Sequence, residues 1–223
     1  VYGKRRVGKT TLIQKALKSS SYQTVYFECL KGTMQDNING LVQELVRAKL
    51  LPVPLNFSTL QDVFAYLNAL SEKIVVVIDE YPYLKVLNDS ATVDSIFQNI
   101  IDNRLVNIEL ILSGSHIGMM KDTLQEKNAL YGRFAVTIKL NELNYLEAAK
   151  FYPDKTPYDK AAHYAVFGGS PFVNQALQPE ATIRENIIST ILNPMSAVYL
   201  YASQLLLSDC SVKINAERIF SVI

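Results

Sequence analysis

Residues 3–11 of this 223-residue chain read GKRRVGKTT and have the spacing of a phosphate-binding loop, G-x-x-x-x-G-K-[ST]. In such loops the glycines, here Gly3 and Gly8, let successive backbone N–H groups turn inward around a phosphate. The helix that follows adds the positive end of its dipole. The spacing therefore predicts a binding site for a nucleoside triphosphate in this part of the chain.

Two side chains of the loop have chemistry of their own. Lys9 supplies a positive charge that can reach the β- and γ-phosphates, and the hydroxyl of Thr10 can be a ligand of Mg²⁺. The residues that we predict to contact the nucleotide in this loop are Gly3, Arg6, Val7, Gly8, Lys9, Thr10 and Thr11.

Two adjacent acids follow an apolar run later in the chain. Residues 74–78 read IVVVI, and Asp79 and Glu80 come directly after them. An unbroken apolar run is typical of a parallel strand buried on both faces, and ligands bind at the carboxyl ends of such strands. We therefore expect Asp79 to hold Mg²⁺ together with Thr10, and Glu80 to activate the attacking water as a general base.

Two further polar residues have two interpretations each. Ser113 ends the next apolar strand, residues 108–112, and its hydroxyl either senses the γ-phosphate and orients the water, or belongs to an ordinary turn. Arg133 precedes another predicted strand. In one interpretation its guanidinium is a catalytic group that faces the γ-phosphate, or it faces a partner. In the other, Arg133 is a plain surface arginine.

The elements that must position these residues alternate along the first part of the chain. Helical patterns separate the strand-like runs, and Ser58 with Gln61 predicts a capping box at the start of one helix. Alternating strands and helices predict right-handed βαβ units and an α/β fold with a parallel sheet covered by helices on both sides. The predicted strands are residues 24–27, 74–78, 108–112 and 134–140.

Only helical signals follow, so we predict two domains, a nucleotide-binding core over residues 1–140 and a small α-helical domain over residues 141–223. Gly168 is expected to end one helix, Ser170 to cap the next, and Pro171 to occupy its first position. The helices of this domain are expected near residues 145–151 and 158–167, from residue 172, and near residues 181–192.

The composition excludes several classes of protein. With 49% hydrophobic residues, the chain is long and apolar enough for one α/β domain and a smaller appendage. A net charge of +1 without long charged runs lacks the basic footprint of a nucleic-acid-binding domain. No apolar run reaches the roughly 18 residues of a membrane span. Cys29 and Cys210 have no metal-ligand spacing and indicate a reducing compartment, so we expect a cytoplasmic protein.

Only Val1 and Tyr2 precede the loop, although a phosphate-binding loop normally connects a buried strand to a helix. We therefore expect the chain to be a fragment of a longer protein whose first strand is not included.

Five short motifs together resemble the archaeal-type ATPase family. That family is similar to the signal-transduction ATPases with numerous domains and, more distantly, to AAA+ proteins. The resemblance implies an ATP-binding phosphate-loop core with a helical lid domain. It also implies that Gly169 and Pro171 contact the nucleotide from the helical domain, and that a winged-helix domain usually follows. The motifs are residues 1–11, 77–84 (VIDEYPYL), 112–115 (LSGS), 130–133 (LYGR) and 167–171 (FGGSP).

These expectations combine into an ATPase that binds ATP and Mg²⁺ and acts as a regulatory switch. Self-association or a protein partner is compatible with this role, and DNA contact is expected only through domains outside this chain. A GTPase is disfavoured because the guanine-reading pattern N-K-x-D does not occur. A small-molecule kinase is disfavoured because Glu80 suits water as the acceptor. The remaining alternative is a non-hydrolysing module that uses bound nucleotide as structure in a DNA- or protein-binding assembly.

Overall fold

The computed structural model of the chain describes residues 1–201. They divide into two units, Val1–Asn141 and a second unit that begins at Glu142, and each unit has its own hydrophobic cluster. No helix within the described residues is long and apolar enough to cross a membrane.

The sheet of the first unit has three parallel strands, β1 (Gln23–Glu28), β2 (Ile74–Asp79) and β3 (Ile108–Leu112), in the order β1-β2-β3. Every residue of β2 is buried because this strand lies between the other two and is covered on both faces. The predicted α/β fold with a parallel sheet is therefore confirmed.

Helices cover both faces of this sheet. Ile13 of the helix after the loop packs against Val75 and Val77, whereas Val76 and Ile78 face the main core. Successive residues of a strand point to opposite faces, so an apolar residue is needed at every position of β2. The helices of this unit are α1 (Lys9–Lys18), α2 (Met34–Arg47), α3 (Leu60–Ala69), α4 (Ser90–Arg104) and α5 (Ile117–Asp122).

Helix α3 begins one residue later than the predicted capping box requires. Thr59, not Ser58, is the N-cap residue, and its hydroxyl accepts a hydrogen bond from the backbone N–H of Asp62 at 3.1 Å. The Asp62 carboxylate accepts from the Thr59 hydroxyl in return, at 2.7 Å. A charged carboxylate forms stronger hydrogen bonds than the neutral amide oxygen of Gln61, and this favours the pair of Thr59 with Asp62.

Residues 134–140 do not form the predicted strand. Their one ladder contact is a parallel bridge between Lys139 and Tyr2, and Tyr2 lies outside the three strands of the sheet. A groove of about 450 Å³ is lined by β3 on one side and by residues 133–138 on the other, so most of this segment lacks a neighbouring backbone to bond with. Strand β3 is buried only at its two ends, Ile108 and Leu112, and Glu109 is exposed beside the groove.

The second unit is helical in the part that the structure describes. The predicted helices are present in it, although the last ends in a π-helical turn, Ile187–Ile191, and 3₁₀ geometry continues the first at Ala149–Phe151. Residues 202–223, with Cys210, lie outside the described residues. The α-helices are α6 (Tyr145–Ala148), α7 (Pro157–Phe167), α8 (Pro171–Ala176) and α9 (Ile183–Asn186).

A charged pair lies inside the first unit. The ammonium of Lys85 is 2.6 Å from the Asp94 carboxylate, and both side chains are almost fully buried. Tyr81 donates a hydrogen bond to one oxygen of Asp94 at 2.5 Å, and Asn128 donates to the other at 2.8 Å. Tyr81 and Lys85 are the first and last residues of a 3₁₀ helix. The network therefore connects the segment that follows Glu80 to helix α4.

Replacement of Asp94 by Ala leaves the Lys85 ammonium buried without its anion. We expect the free energy of unfolding to fall by about 3–5 kcal/mol, measured by urea denaturation. Asp102→Ala is the matched control, because it breaks an ion pair with Arg133 that is open to solvent and contributes little. Equal losses in the two variants would show that the buried network does not stabilise the unit.

Candidate nucleotide-binding site

The phosphate loop ends at the first turn of α1. Gly8 is the N-cap residue of that helix and has the left-handed conformation, with φ 93° and ψ 17°. This conformation favours glycine because it has no Cβ. The loop therefore lies where the first backbone N–H groups of α1 have no partner within the helix and can bind an anion.

Lys9, the first residue of α1, has its ammonium among the carbonyl groups of the loop. It donates hydrogen bonds to the carbonyl oxygens of Gly3 at 3.0 Å and Lys4 at 2.9 Å. Burial lowers the pKa of Lys9, and the nearby carboxylates of Glu80 and Asp79 oppose this effect. The structure thus brings together the predicted phosphate ligand and both predicted acids.

Asp79 and Thr10 are in contact although 69 positions separate them. The Thr10 hydroxyl donates to Oδ2 of Asp79 at 3.2 Å, and the Glu80 backbone N–H donates to Oδ1 at 2.9 Å. They meet because Asp79 ends β2 at the edge of the sheet where α1 begins. This is the arrangement that the sequence predicts for the pair.

The chemistry of this pair suits Mg²⁺. The ion prefers oxygen ligands, and it takes several of them from phosphates and water, so one hydroxyl and one carboxylate are a fitting protein contribution. Within residues 1–201, no group of three His, Cys, Asp or Glu side chains could hold a metal ion. The hydroxyl of Thr10 and the carboxylate of Asp79 fit Mg²⁺ beside a bound triphosphate by their chemistry, and this role stays a prediction.

Glu80 points its carboxylate toward the end of the neighbouring strand. Its backbone is left-handed, with φ 50° and ψ 42°, and Oε2 accepts hydrogen bonds from the backbone N–H and the hydroxyl of Ser115. Ser113 lies on the same turn, and its own hydroxyl is buried without a partner in the described part of the chain. The contact of Ser113 with the γ-phosphate or the attacking water stays a prediction.

The hydrogen bonds of Arg133 are made away from the phosphate loop. Its guanidinium binds the Asp102 carboxylate in a bidentate manner, at 2.8 and 2.9 Å, and also donates to the carbonyl oxygens of Ala129 and Tyr131. None of these partners belongs to the phosphate loop or to the two acids. In this structure Arg133 stabilises its own turn and links it to Asp102, and its catalytic role stays a prediction.

Contacts within the helical unit explain why Gly169 and Pro171 occupy their positions. A Cβ atom at Gly169 would lie 1.9 Å from the carbonyl oxygen of Leu143, so only glycine fits. Pro171 is the first residue of α8, as predicted, but the hydroxyl of the N-cap residue Ser170 makes no capping hydrogen bond. Instead, the Asn174 amide donates to the carbonyl oxygens of Gly168 and Ser170, both at 2.9 Å. The nucleotide contact of Gly169 and Pro171 stays a prediction.

Sequence reasoning missed Tyr26, whose hydroxyl donates a hydrogen bond to Oδ2 of Asp79. Tyr26 lies on β1, beside Val77 of β2. Burial raises the pKa of Tyr26, and the hydrogen bond to Asp79 raises it further. A tyrosine in an apolar strand is no signal by itself, because the sequence does not say which strand lies next to β2.

Tyr26→Phe removes this donor and keeps the ring. We expect the free energy of unfolding at neutral pH to fall by about 1.5 kcal/mol, the contribution of one hydrogen bond to a charged group. A raised pKa in the folded state means that the stabilisation is complete below the pKa of an unfolded tyrosine, near pH 10, and is lost at higher pH. Wild type should therefore lose more stability than Tyr26→Phe between about pH 9 and pH 11.

Urea unfolding at a series of pH values measures both effects. Tyr158→Phe is the control, because this tyrosine is 82% exposed, and the substitution should alter neither the stability nor its pH dependence. If Tyr26→Phe behaves like this control, the hydrogen bond to Asp79 contributes nothing to folding.

Comparisons with known proteins identify the family. Residues 1–173 match the family described as an ATPase domain predominantly from Archaea. An uncharacterized protein of Methanocaldococcus jannaschii is 31% identical over 175 residues, which are 77% of this chain and 37% of that protein. The chain therefore spans little more than a third of this curated relative.

Solved structures show the same fold. A Walker-type ATPase of Pyrococcus abyssi superposes with a TM-score of 0.60 at 20% identity, over 78% of this chain and 59% of that one. The ORC1 protein of Aeropyrum pernix, solved in complex with DNA, gives a TM-score of 0.53 at 14% identity, over 84% of this chain and 57% of that one. The resemblance inferred from the motifs is confirmed, and the chain belongs to the family of ATPase domains found predominantly in Archaea.

Proposed function

We propose that this chain binds ATP together with Mg²⁺, hydrolyses the ATP, and acts as a regulatory switch. One observation carries the proposal, namely the cluster of the Lys9 ammonium, the Thr10–Asp79 pair and the Glu80 carboxylate around the loop before α1. A cation, a hydroxyl and two carboxylates in these positions are the groups that phosphoryl transfer to water requires.

Lys9 binds the β- and γ-phosphates, which take the place of the loop carbonyls as its partners. Thr10 and Asp79 hold Mg²⁺, which neutralises charge on the phosphate oxygens when bound. Thr10 keeps its hydroxyl toward Asp79, and the backbone N–H groups of the loop and of the first turn of α1 donate to the phosphate oxygens.

Glu80 accepts a proton from water as the water oxygen forms a bond to the γ-phosphorus. The bond between that phosphorus and the bridging oxygen breaks, and ADP and phosphate leave. The regulatory part of the proposal, in which ATP favours one conformation and hydrolysis releases it, follows from the differential affinity of two states. Nucleotide contacts of Gly169 and Pro171, self-association and a protein partner remain predictions.

The alternative is a module that binds nucleotide without hydrolysing it, within a DNA- or protein-binding assembly. The structural neighbour from Aeropyrum pernix was solved in complex with DNA, but at 14% identity the likeness extends to the fold alone. The Glu80 carboxylate beside the loop favours hydrolysis, because a module that only holds nucleotide has no need of a general base.

Two substitutions separate binding from chemistry. Lys9→Ala should abolish ATP binding, because it removes the positive charge of the loop. Glu80→Gln should retain ATP binding and lower turnover by about 100-fold or more, the usual contribution of a positioned base. Fluorescent-nucleotide titration and phosphate release measure the two properties. Equal loss of ATP binding in both variants would contradict the assigned roles, and a wild-type protein that binds ATP but releases no phosphate would favour the non-hydrolysing module.

Arg133 and Asp102 form a matched pair for testing the predicted catalytic arginine. If the guanidinium acts on the γ-phosphate, Arg133→Ala should lower turnover by about 10³-fold with little change in ATP affinity. Asp102→Ala should retain turnover, because it leaves the guanidinium in the protein. Steady-state hydrolysis should be measured at several protein concentrations, since the arginine could act on a neighbouring copy. Unchanged turnover in both variants would make Arg133 purely structural.

A further inference from the structure

The two carboxylate oxygens of Glu80 have different surroundings. Oε2 accepts hydrogen bonds from Ser115 twice, from the backbone N–H at 3.1 Å and from the hydroxyl at 2.8 Å. Oε1 accepts no hydrogen bond from residues 1–201. One oxygen is therefore anchored, and the other is available to a water molecule.

The turn that carries Ser115 is bonded to the turn that carries Glu80. The backbone N–H of Ser113 donates to the carbonyl oxygen of Ile78 at 2.9 Å, and the carbonyl oxygen of Ser113 accepts from the N–H of Tyr81 at 2.8 Å. The two hydrogen bonds continue the pairing of β2 with β3 beyond the strand ends. The backbone of Ser115 is thereby placed beside Glu80.

Close packing between the two turns also places Ser115 beside Glu80. A Cβ atom at Gly114 would lie 2.6 Å from Cδ of Pro82 and 2.8 Å from the sulfur of Met120, so the glycine lets the two turns touch. The Ser115 hydroxyl is not a helix cap, because His116 is the N-cap residue of α5. Helix capping therefore does not explain the hydrogen bond from the Ser115 hydroxyl to Glu80.

We propose that Ser115 is a positioning residue, which anchors Oε2 of Glu80 so that Oε1 faces the attacking water. The proposal rests on the proposed function, since it gives Ser115 a role only if Glu80 is the base. A carboxylate held by two donors on one oxygen loses rotational freedom, and the lone pairs of the other oxygen keep a fixed direction. Ser115 affects the chemical step through Glu80 and leaves ATP binding to the loop.

Single-turnover phosphate release and ATP affinity test the proposal in the protein that carries Ser115→Ala. We expect the rate to fall about tenfold, because one of two hydrogen bonds to a charged group is lost, while the dissociation constant for ATP stays within about twofold. Ser115→Thr, which retains a hydroxyl, should restore the rate to within about threefold of wild type. Ser58→Ala, at an exposed serine outside the site, is the control and should change neither quantity.

The double variant with Glu80→Gln provides a readout that a merely structural role would not move. If Ser115 acts only through the carboxylate, Ser115→Ala should cause no further loss in the Glu80→Gln background. Independent, multiplying losses would overturn the proposal, as would an unchanged or faster rate in Ser115→Ala alone. A wild-type protein that releases no phosphate overturns both this proposal and the proposed function, whereas an active wild type with an unaffected Ser115→Ala variant overturns only this one.

Discussion

The carboxylate of Asp79 is buried at the end of β2, and a buried carboxylate costs free energy unless hydrogen-bond donors reach it. Three donors do so, the backbone N–H of Glu80 and the hydroxyls of Thr10 and Tyr26. They come from the turn after β2, from the helix after the phosphate loop and from the neighbouring strand β1. One polar group therefore links three elements at the edge of the sheet, and the geometry of the loop depends on it.

The turn after Asp79 is held from two other directions. On one side, Ser115 binds the Glu80 carboxylate, and on the other, the buried Lys85–Asp94 pair anchors the 3₁₀ helix that begins at Tyr81. The left-handed backbone of Glu80 is an uncommon conformation for a residue with a side chain, and such conformations persist when their surroundings determine them. Rigid support of this kind is what a positioned general base requires.

Some motif residues have a complete structural explanation. Gly169 is needed because the Leu143 carbonyl approaches its backbone, and Arg133 binds Asp102 and its own turn. These contacts lie within the fold and do not depend on a nucleotide. A motif therefore identifies the family here more firmly than it assigns the role of each of its members.

The sequence by itself determined the parallel α/β fold, the phosphate loop and the acids after β2, because unbroken apolar runs and local spacing report burial and turns directly. Only the tertiary structure decided that Tyr26 joins Asp79, that Ser115 anchors Glu80, and that residues 134–140 stay outside the sheet. The physical reason is that strand pairing and side-chain contacts over long stretches of chain depend on which elements become neighbours. Alternating hydrophobicity shows that a segment can pair, but not whether a partner backbone lies beside it.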